Sequence, residues 1–482
     1  MTFPLTVIQL AGITHGVLAD SRYAQQRVAG GCIDSRTITT DDCFFALSGN
    51  RTHGVLFADQ AIARGAVCVV TDSAASPSNT THIAPAMPSL AALDSAETDG
   101  RIIRVADSVV ALQLLARWNR QQSGALIVGV TGSVGKTTTR QMITQVLASC
   151  FSGVQSQHNY NNELGVPLSL LQLKPEHDFA VLELAAGKIG DIAFLAEMVR
   201  PEFAVVTRVA ATHLESFGDL DTVRLAKMEL PAAVTAGGTV FLNADDAAVL
   251  SMSQSTSASI VLFGTIAAAD FRATSIHSRD GICQFKVDGQ SFQVQGGAHL
   301  VTGAVAAIAV GRVAGLGTSE IAEGLANYQP DAGRGRIVQR QPWLVIDETY
   351  NASPASVLAA IQTLSDCVTA RRRILVLGDM LELGSQAIHF HRAVGRALEN
   401  SQIDHTLIFG EFADAVAAGA IAAGVSTNRL SVFRDIATLS VMLDCVLTHG
   451  DAVLVKGSRS MRMERVITSL RATEIPARRS AA

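Results

Sequence analysis

Short runs of aliphatic and β-branched residues alternate along this chain with longer segments that have apolar positions at helical spacing. Strands are predicted at residues 125–130, 180–184, 203–206 and 239–242, and helices at 137–148 and 190–199. Strands that are joined by helices pair in parallel. The pattern therefore predicts an α/β fold of mostly parallel sheets covered by helices.

Two breaks in this alternation divide the chain. Residues 73–98 are dense in Ser, Ala, Thr and Pro and are predicted to form a loop late in a first domain. Residues 329–335 form a turn-rich junction after a helix predicted at 320–327. A length of 482 residues suggests about three domains at roughly 150 residues each. We place them at 1–107, 108–328 and 329–482.

Composition narrows the class of protein. The net charge of -5 gives no reason to expect nucleic acid or an anionic membrane as a partner. The longest apolar stretch, residues 300–310, is shorter than the roughly 20 residues of a membrane span and suits a buried helix. The seven cysteines include no C-x-x-C pair, and the N-terminus lacks the basic region of a signal peptide. We expect a cytoplasmic monomer without membrane insertion.

A glycine-rich turn follows the first strand of the middle segment and opens a helix. Backbone N–H groups of such a turn approach phosphate oxygens closely, and the helix N-terminus adds partial positive charge. The general pattern G-x-x-x-x-G-K would place its first glycine at Val130, so only the shorter form T-G-x-x-G-K-T-T is present. We predict that the turn binds ATP phosphates through Gly132, Ser133, Val134, Gly135, Lys136, Thr137 and Thr138.

Three further polar residues follow this turn in order. Glu183 ends a predicted strand, where a carboxylate could hold Mg²⁺ beside the phosphates. His213 lies after the next strand and Lys227 lies in a predicted helix. Taken singly, each residue has a simpler interpretation. Glu183 is equally well explained as a solvated strand end. A lone histidine such as His213 is more often structural than a ligand, and a lone helical lysine such as Lys227 is usually a solvated charge. Their common order after one phosphate turn favours a shared site.

The ordered motifs of the whole chain resemble those of the Mur ligases of peptidoglycan synthesis. The resemblance is greatest to the branch that adds D-alanyl-D-alanine to UDP-N-acetylmuramoyl-tripeptide. It rests on CFFALSGNRTHG (43–54), GVTGSVGKTTT (129–139), NYNNELGVPLSLL (159–171), HLESFG (213–218), NADD (243–246), DETYNASP (347–354), LGDMLELG (377–384) and VLVKGSRSMRMERV (453–466).

The resemblance implies an N-terminal UDP-binding domain, a central ATPase domain and a Rossmann-like C-terminal domain. It implies ATP and Mg²⁺ as cofactors, and UDP-N-acetylmuramoyl-tripeptide and D-alanyl-D-alanine as substrates. In this chemistry the tripeptide carboxylate attacks the γ-phosphate of ATP to give an acyl phosphate, and the dipeptide amine then displaces phosphate.

The resemblance also assigns roles to residues. Lys136, His213 and Lys227 are expected to be catalytic. Thr137, Glu183, His213 and a carbamylated Lys227 would hold Mg²⁺. The expected contacts with ATP are made by Arg334, Asp347, Tyr350 and Asn351. Those with the UDP substrate are made by Ser35, Arg36, Asn161 and Asn162. Those with the second substrate are made by Lys456 and Ser458.

The chain departs from the family pattern at three places. Gly187 and Lys188 stand where the family usually has Asn and His after the metal-binding glutamate. Leu300 and Gly303 replace both asparagines of H-N-x-x-N, the second of which reads the adenine edge in related ligases. Residues 73–98 form a longer stretch than expected, which we interpret as a surface insertion.

The sequence leaves other functions open. A ligase for a different amino acid, such as the tripeptide-forming Mur ligase or a folylpolyglutamate synthase, shares the ATPase core. A nucleotide-binding sensor without ligase activity is an alternative from another class. The third stem residue, L-lysine or diaminopimelate, and the oligomeric state also stay open.

Overall fold

The computed structural model describes residues 1, 5–49, 52–72, 100–157, 159–212, 214–340 and 343–470. The predicted loop at 73–98 and the predicted ligand His213 lie outside these residues. The described residues form three larger sheets, and each falls within one of the three predicted segments. The α/β class and the mostly parallel central sheet are confirmed, while the domain boundaries stay a prediction.

The N-terminal segment carries a five-stranded sheet in the order β2-β7-β6-β5-β4, in which only the β2–β7 pair is antiparallel. A separate antiparallel pair joins β1 to β3. The strands are β1 (Leu5–Thr6), β2 (Val17–Leu18), β3 (Arg27–Val28), β4 (Gly30–Cys32), β5 (Asp42–Ala46), β6 (Cys68–Asp72) and β7 (Ile102–Val105). Its helices are α1 (Val7–Ile13) and α2 (Ala58–Ala63), and α3 (Ser108–Gln121) follows β7 at the start of the predicted middle segment.

The central sheet has seven parallel strands in the order β14-β13-β12-β11-β8-β10-β9. A small antiparallel sheet, β15-β16-β17, follows it. The strands are β8 (Leu126–Thr131), β9 (Gly153–Gln155), β10 (Phe179–Glu183), β11 (Phe203–Val206), β12 (Thr239–Asn243), β13 (Ser259–Gly264), β14 (Phe271–Arg272), β15 (Thr274–Arg279), β16 (Ile282–Val287) and β17 (Gln290–Gln295). The helices are α4 (Lys136–Leu147), α5 (Gly165–Leu170), α6 (Asp191–Val199), α7 (Leu214–Phe217), α8 (Leu220–Ala233), α9 (Ala247–Leu250), α10 (Val301–Val313) and α11 (Thr318–Ala326).

The C-terminal sheet has the order β18-β19-β23-β20-β21-β22, with an antiparallel pair only at β18–β19. Its strands are β18 (Arg336–Arg340), β19 (Trp343–Glu348), β20 (Arg373–Gly378), β21 (His405–Phe409), β22 (Leu430–Phe433) and β23 (Ala452–Lys456). The helices are α12 (Pro354–Ser365), α13 (Ala387–Ala397), α14 (Ala413–Ala423), α15 (Ile436–Val446) and α16 (Glu464–Ser469).

The central sheet is buried on both faces, which explains its continuous apolar strands. Ile127 and Leu182 belong to one apolar cluster, whereas Val128 and Val181 belong to a second cluster on the opposite face. Successive strand residues point to opposite faces, so a sheet covered on both sides needs apolar residues at every position. The four predicted strands are all found, each within one residue of its predicted ends.

The apolar stretch at 300–310 forms most of the buried helix α10, as predicted. Among the described residues, no helix has the length and hydropathy that a membrane span requires. Strand β19 includes both Asp347 and Glu348, and Lys456 is the last residue of β23. Both strands are extended by pairing with each other, which a local pattern does not contain.

Helix α11 packs closely on α4, the helix that opens at the phosphate turn, and this packing requires glycine at 324. A Cβ atom there would lie 2.5 Å from the Cα of Val146 and 2.6 Å from the carbonyl oxygen of Gln145. We predict that Gly324→Ala lowers the free energy of unfolding by about 1–3 kcal/mol, because backbone atoms must move apart. Urea denaturation followed by circular dichroism measures the change.

Gly12→Ala is the matched control. Gly12 also lies in a helix, but nothing stands within 4 Å of its added Cβ. Alanine there should stabilise the chain by up to about 1 kcal/mol through helix propensity. Equal effects of the two substitutions would contradict the packing argument.

Candidate functional site

A cavity of about 900 Å³ lies between the central sheet and the C-terminal sheet. The central sheet contributes the turn after β8 and residues at the carboxyl ends of β10, β11 and β12. The C-terminal segment contributes residues from the turn that precedes β18, from the end of β19 and the loop after it, and from the end of β23. Ligands of parallel α/β sheets bind at this edge.

The phosphate turn has the backbone that its glycines predict. Gly132 and Gly135 have φ angles of +142° and +86°, in the region that favours glycine. A Cβ on Gly132 would lie 2.1 Å from Oγ1 of Thr207. That hydroxyl donates to the carbonyl oxygen of Val134 over 2.7 Å and fixes the far side of the turn.

Lys136 lies over this turn. Its Nζ donates to the carbonyl oxygens of Gly132 (2.8 Å) and Ser133 (3.3 Å). Burial lowers the pKa of Lys136, and the nearby Glu183 opposes that shift. The ammonium group thus stands beside the backbone N–H groups that would receive phosphate oxygens.

Glu183 is buried and receives hydrogen bonds from two other elements. Thr137 Oγ1 donates to its Oε2 over 2.7 Å, and Asn161 Nδ2 donates to its Oε1 over 2.8 Å. A threonine hydroxyl and a carboxylate are the hard oxygen donors that Mg²⁺ prefers, and the hydroxyl keeps its lone pairs while it donates. The chemistry of this pair fits Mg²⁺.

Of the other predicted metal ligands, His213 lies outside the described residues, and Lys227 does not line the cavity. No group of three His, Cys, Asp or Glu side chains that would hold a metal occurs in the described part of the chain, to which His213 does not belong. Asn162 lines the cavity, but its Oδ1 accepts from the N–H of Gly165 over 3.0 Å and caps the turn before α5.

Lys227 lies on α8 and is only 4% exposed. Burial and, to a smaller extent, the charge of Lys136 lower its pKa to about 7, although the charges of Glu229 and Asp191 act in the opposite direction. Its Nζ lies 5.5 Å from the ring centroid of Phe217. A large share of this amine is therefore uncharged at neutral pH. Lys227 itself is not among the residues that line the cavity.

The loop that carries Gly187 and Lys188 is organised by carboxylates. The N–H groups of both residues donate to Oδ2 of Asp191, over 2.8 and 3.0 Å. Gly187 and Asp191 line the cavity, whereas Lys188 is exposed and does not. The lysine at position 188, where the chain departs from the family pattern, therefore adds a cation at the surface. The cavity wall at this point is formed by Gly187.

Across the cavity, cations of the C-terminal segment face the phosphate turn. The guanidinium carbon of Arg334 lies 3.7 Å from the ring centroid of Tyr350, and both residues line the cavity. Lys456 is 2% exposed, and its Nζ donates to Glu348 Oε2 and to the carbonyl oxygen of Asn351, each over 3.0 Å.

Two predicted ligands are used inside the fold. Asp347 accepts from the N–H of Gly333 (2.9 Å) and from the hydroxyl of Thr349 (2.6 Å), so it fixes the turn that presents Arg334. Ser458 is buried and accepts from the N–H of Leu381 over 2.8 Å. Neither residue lines the cavity.

Two of the four predicted UDP contacts, Ser35 and Arg36, lie in the N-terminal segment and do not line the cavity, whereas Asn161 and Asn162 do. The hydroxyl of Ser35 donates to Gln60 Oε1 over 2.6 Å. Arg36 makes a bidentate contact with the Asp34 carboxylate, in which its Nε and Nη2 donate over 2.9 and 2.7 Å. This contact lowers the pKa of Asp34 to about 2. These contacts hold the guanidinium in place on the surface.

Two residues of the site have no role in the prediction from sequence. Glu348 lines the cavity and pairs with Lys456, and it stands in the quoted string DETYNASP, beside Asp347. Arg140 is buried with its Nη1 4.0 Å from Glu183 Oε2, one turn along α4 from Lys136. A buried arginine is rarely without a carboxylate partner, which is the signal that could have found it.

The other end of the cavity lies over β12 and β13. It is lined by Asn243, Asp245, Phe263, Leu300, Thr302 and Gly303. A Cβ on Gly303 would lie 2.8 Å from Oγ1 of Thr139 on α4, so the close approach of α10 to α4 accounts for the glycine.

Three family models match consecutive parts of the chain. The model described as "Mur ligase family, catalytic domain" matches residues 27–120, "Mur ligase middle domain" matches 130–311, and "Mur ligase, glutamate ligase domain" matches 333–459. Each match covers most of one of the three larger sheets.

Individual proteins match over nearly the whole length. The chain is 34% identical over 476 residues to the UDP-N-acetylmuramoyl-tripeptide--D-alanyl-D-alanine ligase of Escherichia coli (strain K12), covering 97% of this chain and 98% of that protein. A crystal structure of MurF from Acinetobacter baumannii is similar with a TM-score of 0.82 at 29% identity, covering 97% and 99%. The MurF ligase of Thermotoga maritima, solved in complex with ADP, has a TM-score of 0.75 at 26% identity, covering 92% and 97%.

Burial of an amine at 227 carries a stability cost that depends on pH. The lysine has a pKa of about 7 when folded and about 10.5 when exposed, so the unfolded chain binds more protons between these values. The unfolding free energy of the natural chain therefore rises with pH across this window. We predict that Lys227→Met stabilises the chain by about 1–4 kcal/mol at pH 6 and that this gain fades toward pH 10.5.

Thermal unfolding in CO₂-depleted buffer from pH 6 to 10 measures this difference. Lys188→Met, at an exposed lysine in the loop before α6, is the control and should change stability by less than about 0.5 kcal/mol at every pH. A gain for Lys227→Met that stays constant over the whole range would refute a lowered pKa.

Proposed function

The chain belongs to the Mur ligase family, and from this we propose that it uses ATP to join D-alanyl-D-alanine to UDP-N-acetylmuramoyl-tripeptide. The products are the UDP-linked pentapeptide, ADP and phosphate. The observation that carries the proposal is the shared cavity, in which the phosphate turn with Lys136 and Glu183 faces Arg334 and Lys456. Because the reaction consumes ATP, the enzyme is proposed to act in the cytoplasm. It is also proposed to act as a monomer.

The first step activates the tripeptide. Its terminal carboxylate oxygen attacks the γ-phosphorus of ATP, an O–P bond forms, and the bond to the β-γ bridging oxygen breaks to release ADP. Lys136 and the N–H groups of the turn offset the negative charge of the transferring group. Arg334 adds a cation from the opposite wall.

Magnesium fits the oxygen pair of Thr137 and Glu183, and His213 is proposed to join them. When bound there, the ion would supply further neutralisation of phosphate charge. Asn161 and Arg140 hold the Glu183 carboxylate from behind. Such support keeps the carboxylate oriented.

The second step forms the amide bond. The uncharged amine of D-alanyl-D-alanine attacks the acyl carbonyl, a C–N bond forms, the C–O bond to phosphate breaks, and the proton from the nitrogen passes to the departing phosphate or to solvent. We place the dipeptide beside Lys456, whose Nζ keeps one N–H after donating to Glu348 and Asn351. That N–H is free to donate a hydrogen bond to the carboxylate of the dipeptide.

We propose that Lys227 is carbamylated. An uncharged amine attacks CO₂, an N–C bond forms, and one proton is released, which leaves a carbamate anion. The pKa of about 7 supplies the uncharged amine at neutral pH, and the neighbouring Lys136 offers a cation to the product. The change replaces a buried cation by an anion that has metal-binding oxygens.

The proposed reaction predicts a strict substrate requirement. ADP release in a coupled assay should need both UDP-N-acetylmuramoyl-tripeptide and D-alanyl-D-alanine, and chelation of Mg²⁺ should abolish it. The tripeptides with L-lysine and with diaminopimelate, tested side by side, identify the third stem residue. Release with free amino acids only would favour a different ligase, and no release at all would favour a binding protein.

Carbamylation predicts a separable defect at Lys227. Lys227→Ala should lower acyl-phosphate formation by about 10²-fold or more, because an anion that would bind Mg²⁺ is lost. Trapping the acyl phosphate by borohydride reduction measures this step. Binding of the UDP substrate, measured by calorimetry, should be unchanged.

Lys188→Ala is the control, because that lysine is exposed and lies outside the cavity wall. In the natural chain, ¹³C-labelled CO₂ should give a carbamate NMR signal that Lys227→Ala lacks and Lys188→Ala keeps. Near-normal turnover of Lys227→Ala would eliminate the carbamate from the mechanism.

A further inference from the structure

The small sheet β15-β16-β17 contains two turns of the same kind. Asp280-Gly281 joins β15 to β16, and Asp288-Gly289 joins β16 to β17. Their φ angles are +49° and +79° in the first turn and +50° and +76° in the second. Positive φ at both central residues, with the sequence Asp-Gly, is typical of a tight hairpin turn. Local chemistry alone does not distinguish the two.

Their surroundings differ completely. Gly281 is buried, and a Cβ on it would lie 2.2 Å from Cδ1 of Ile337 in β18. Gly289 is exposed, and nothing lies within 4 Å of its added Cβ. The first turn is therefore seated against the C-terminal sheet, and the second projects from the same small sheet into solvent.

The seated turn holds the C-terminal segment through its backbone and its carboxylate. Asp280 Oδ1 accepts from the N–H of Thr369 (3.0 Å) and from its hydroxyl (2.8 Å). The N–H of Asp280 donates to the carbonyl oxygen of Asp366 over 3.2 Å. Both partners lie in the connection between α12 and β20.

The contact continues from the turn to the cavity. His299 Nδ1 lies 3.2 Å from the hydroxyl of Thr363, one turn back along α12. A small gap beside it is lined on one side by Gly281 and Gly297 and on the other by Arg334 and Glu348. The residues that dock the turn and the residues that face the phosphates are thus parts of one interface.

We propose that the Asp280-Gly281 turn is a docking element that sets the position of the C-terminal sheet relative to the central sheet. Through this position it holds Arg334 and Lys456 across the cavity from Lys136. Asp280 is a positioning residue, since it touches neither the cavity nor a predicted substrate contact. Its effect on turnover rests on the proposed function, whereas its effect on the distance between the sheets does not.

The chain itself provides the probes for the test. Cys150 follows α4 on the central side, Cys445 lies in α15 on the C-terminal side, and both are exposed. Spin labels on these two cysteines, with half-buried Cys32 replaced by serine, report the distance between the two parts in the full chain. We expect a narrow distance distribution for the natural chain.

Asp280→Ala removes the carboxylate, and Asp288→Ala is its twin in the solvent-exposed turn. We expect Asp280→Ala to broaden the distance distribution and to lower kcat/KM for ATP about 10-fold, with an unchanged KM for the UDP substrate. Asp288→Ala should match the natural chain. Asp280→Asn keeps an oxygen that accepts from Thr369 and should restore the narrow distribution.

A distance distribution of Asp280→Ala that equals that of Asp288→Ala would overturn the proposal, whatever the kinetics show. A broadened distribution supports it, even if the natural chain proves to have no ligase activity, in which case only the proposed function fails. Equal melting temperatures of the two variants would show that the change is one of position. A melting temperature lowered by Asp280→Ala together with an unchanged distance distribution would assign Asp280 a purely structural role.

Discussion

The site depends on how one buried carboxylate is held. Glu183 ends a strand whose every residue is buried, and a carboxylate in such a place must be matched by hydrogen bonds or by charge. It is matched by Thr137 from the helix of the phosphate turn, by Asn161 from the loop before α5, and at 4.0 Å by Arg140. These contacts join three elements that are distant in sequence. Thr137 thus ties the helix of the phosphate turn to the sheet edge, and the Thr207 contact with Val134 holds the other side of the turn.

Of the three cations Lys136, Arg334 and Lys456, the first two have partners that a nucleotide could replace. Lys136 donates to carbonyl oxygens of its own turn, Arg334 lies over the ring of Tyr350, and Lys456 is shared by Glu348 and a carbonyl oxygen. A carbonyl oxygen or an aromatic face is a weaker partner for a cation than a phosphate oxygen. The first two cations can therefore turn to ATP at little cost. Lys456 has a carboxylate partner and keeps its place, which suits a group that positions the other substrate.

Patterns along the chain predicted the parts of this site that local structure fixes. The strand, the glycines with positive φ and the helix of the phosphate turn are properties of residues 126–147, and all were predictable. Asp347 and Ser458 were predicted as ligands, but the structure directs their side chains to the N–H groups of Gly333 and Leu381. Leu381 is 77 positions from Ser458, and Glu348 pairs with a lysine 108 positions away. Partners at such separations are chosen by the packing of whole elements, which a local pattern does not contain.

The two Asp-Gly turns of the small sheet show the same limit in its simplest form. Sequence, backbone angles and parent sheet are alike, so residues near each turn determine only that a turn forms. What differs is that Ile337 and Thr369 stand against one of them. A reaction that passes through an acyl phosphate needs water kept out while groups from two sheets meet. A hinge that moves freely would meet that need only briefly, whereas a seated turn limits the positions that the second sheet can take. The proposed docking role of the Asp280-Gly281 turn therefore depends on its interface with the C-terminal sheet. With that interface, the functional site includes residues that do not touch substrate.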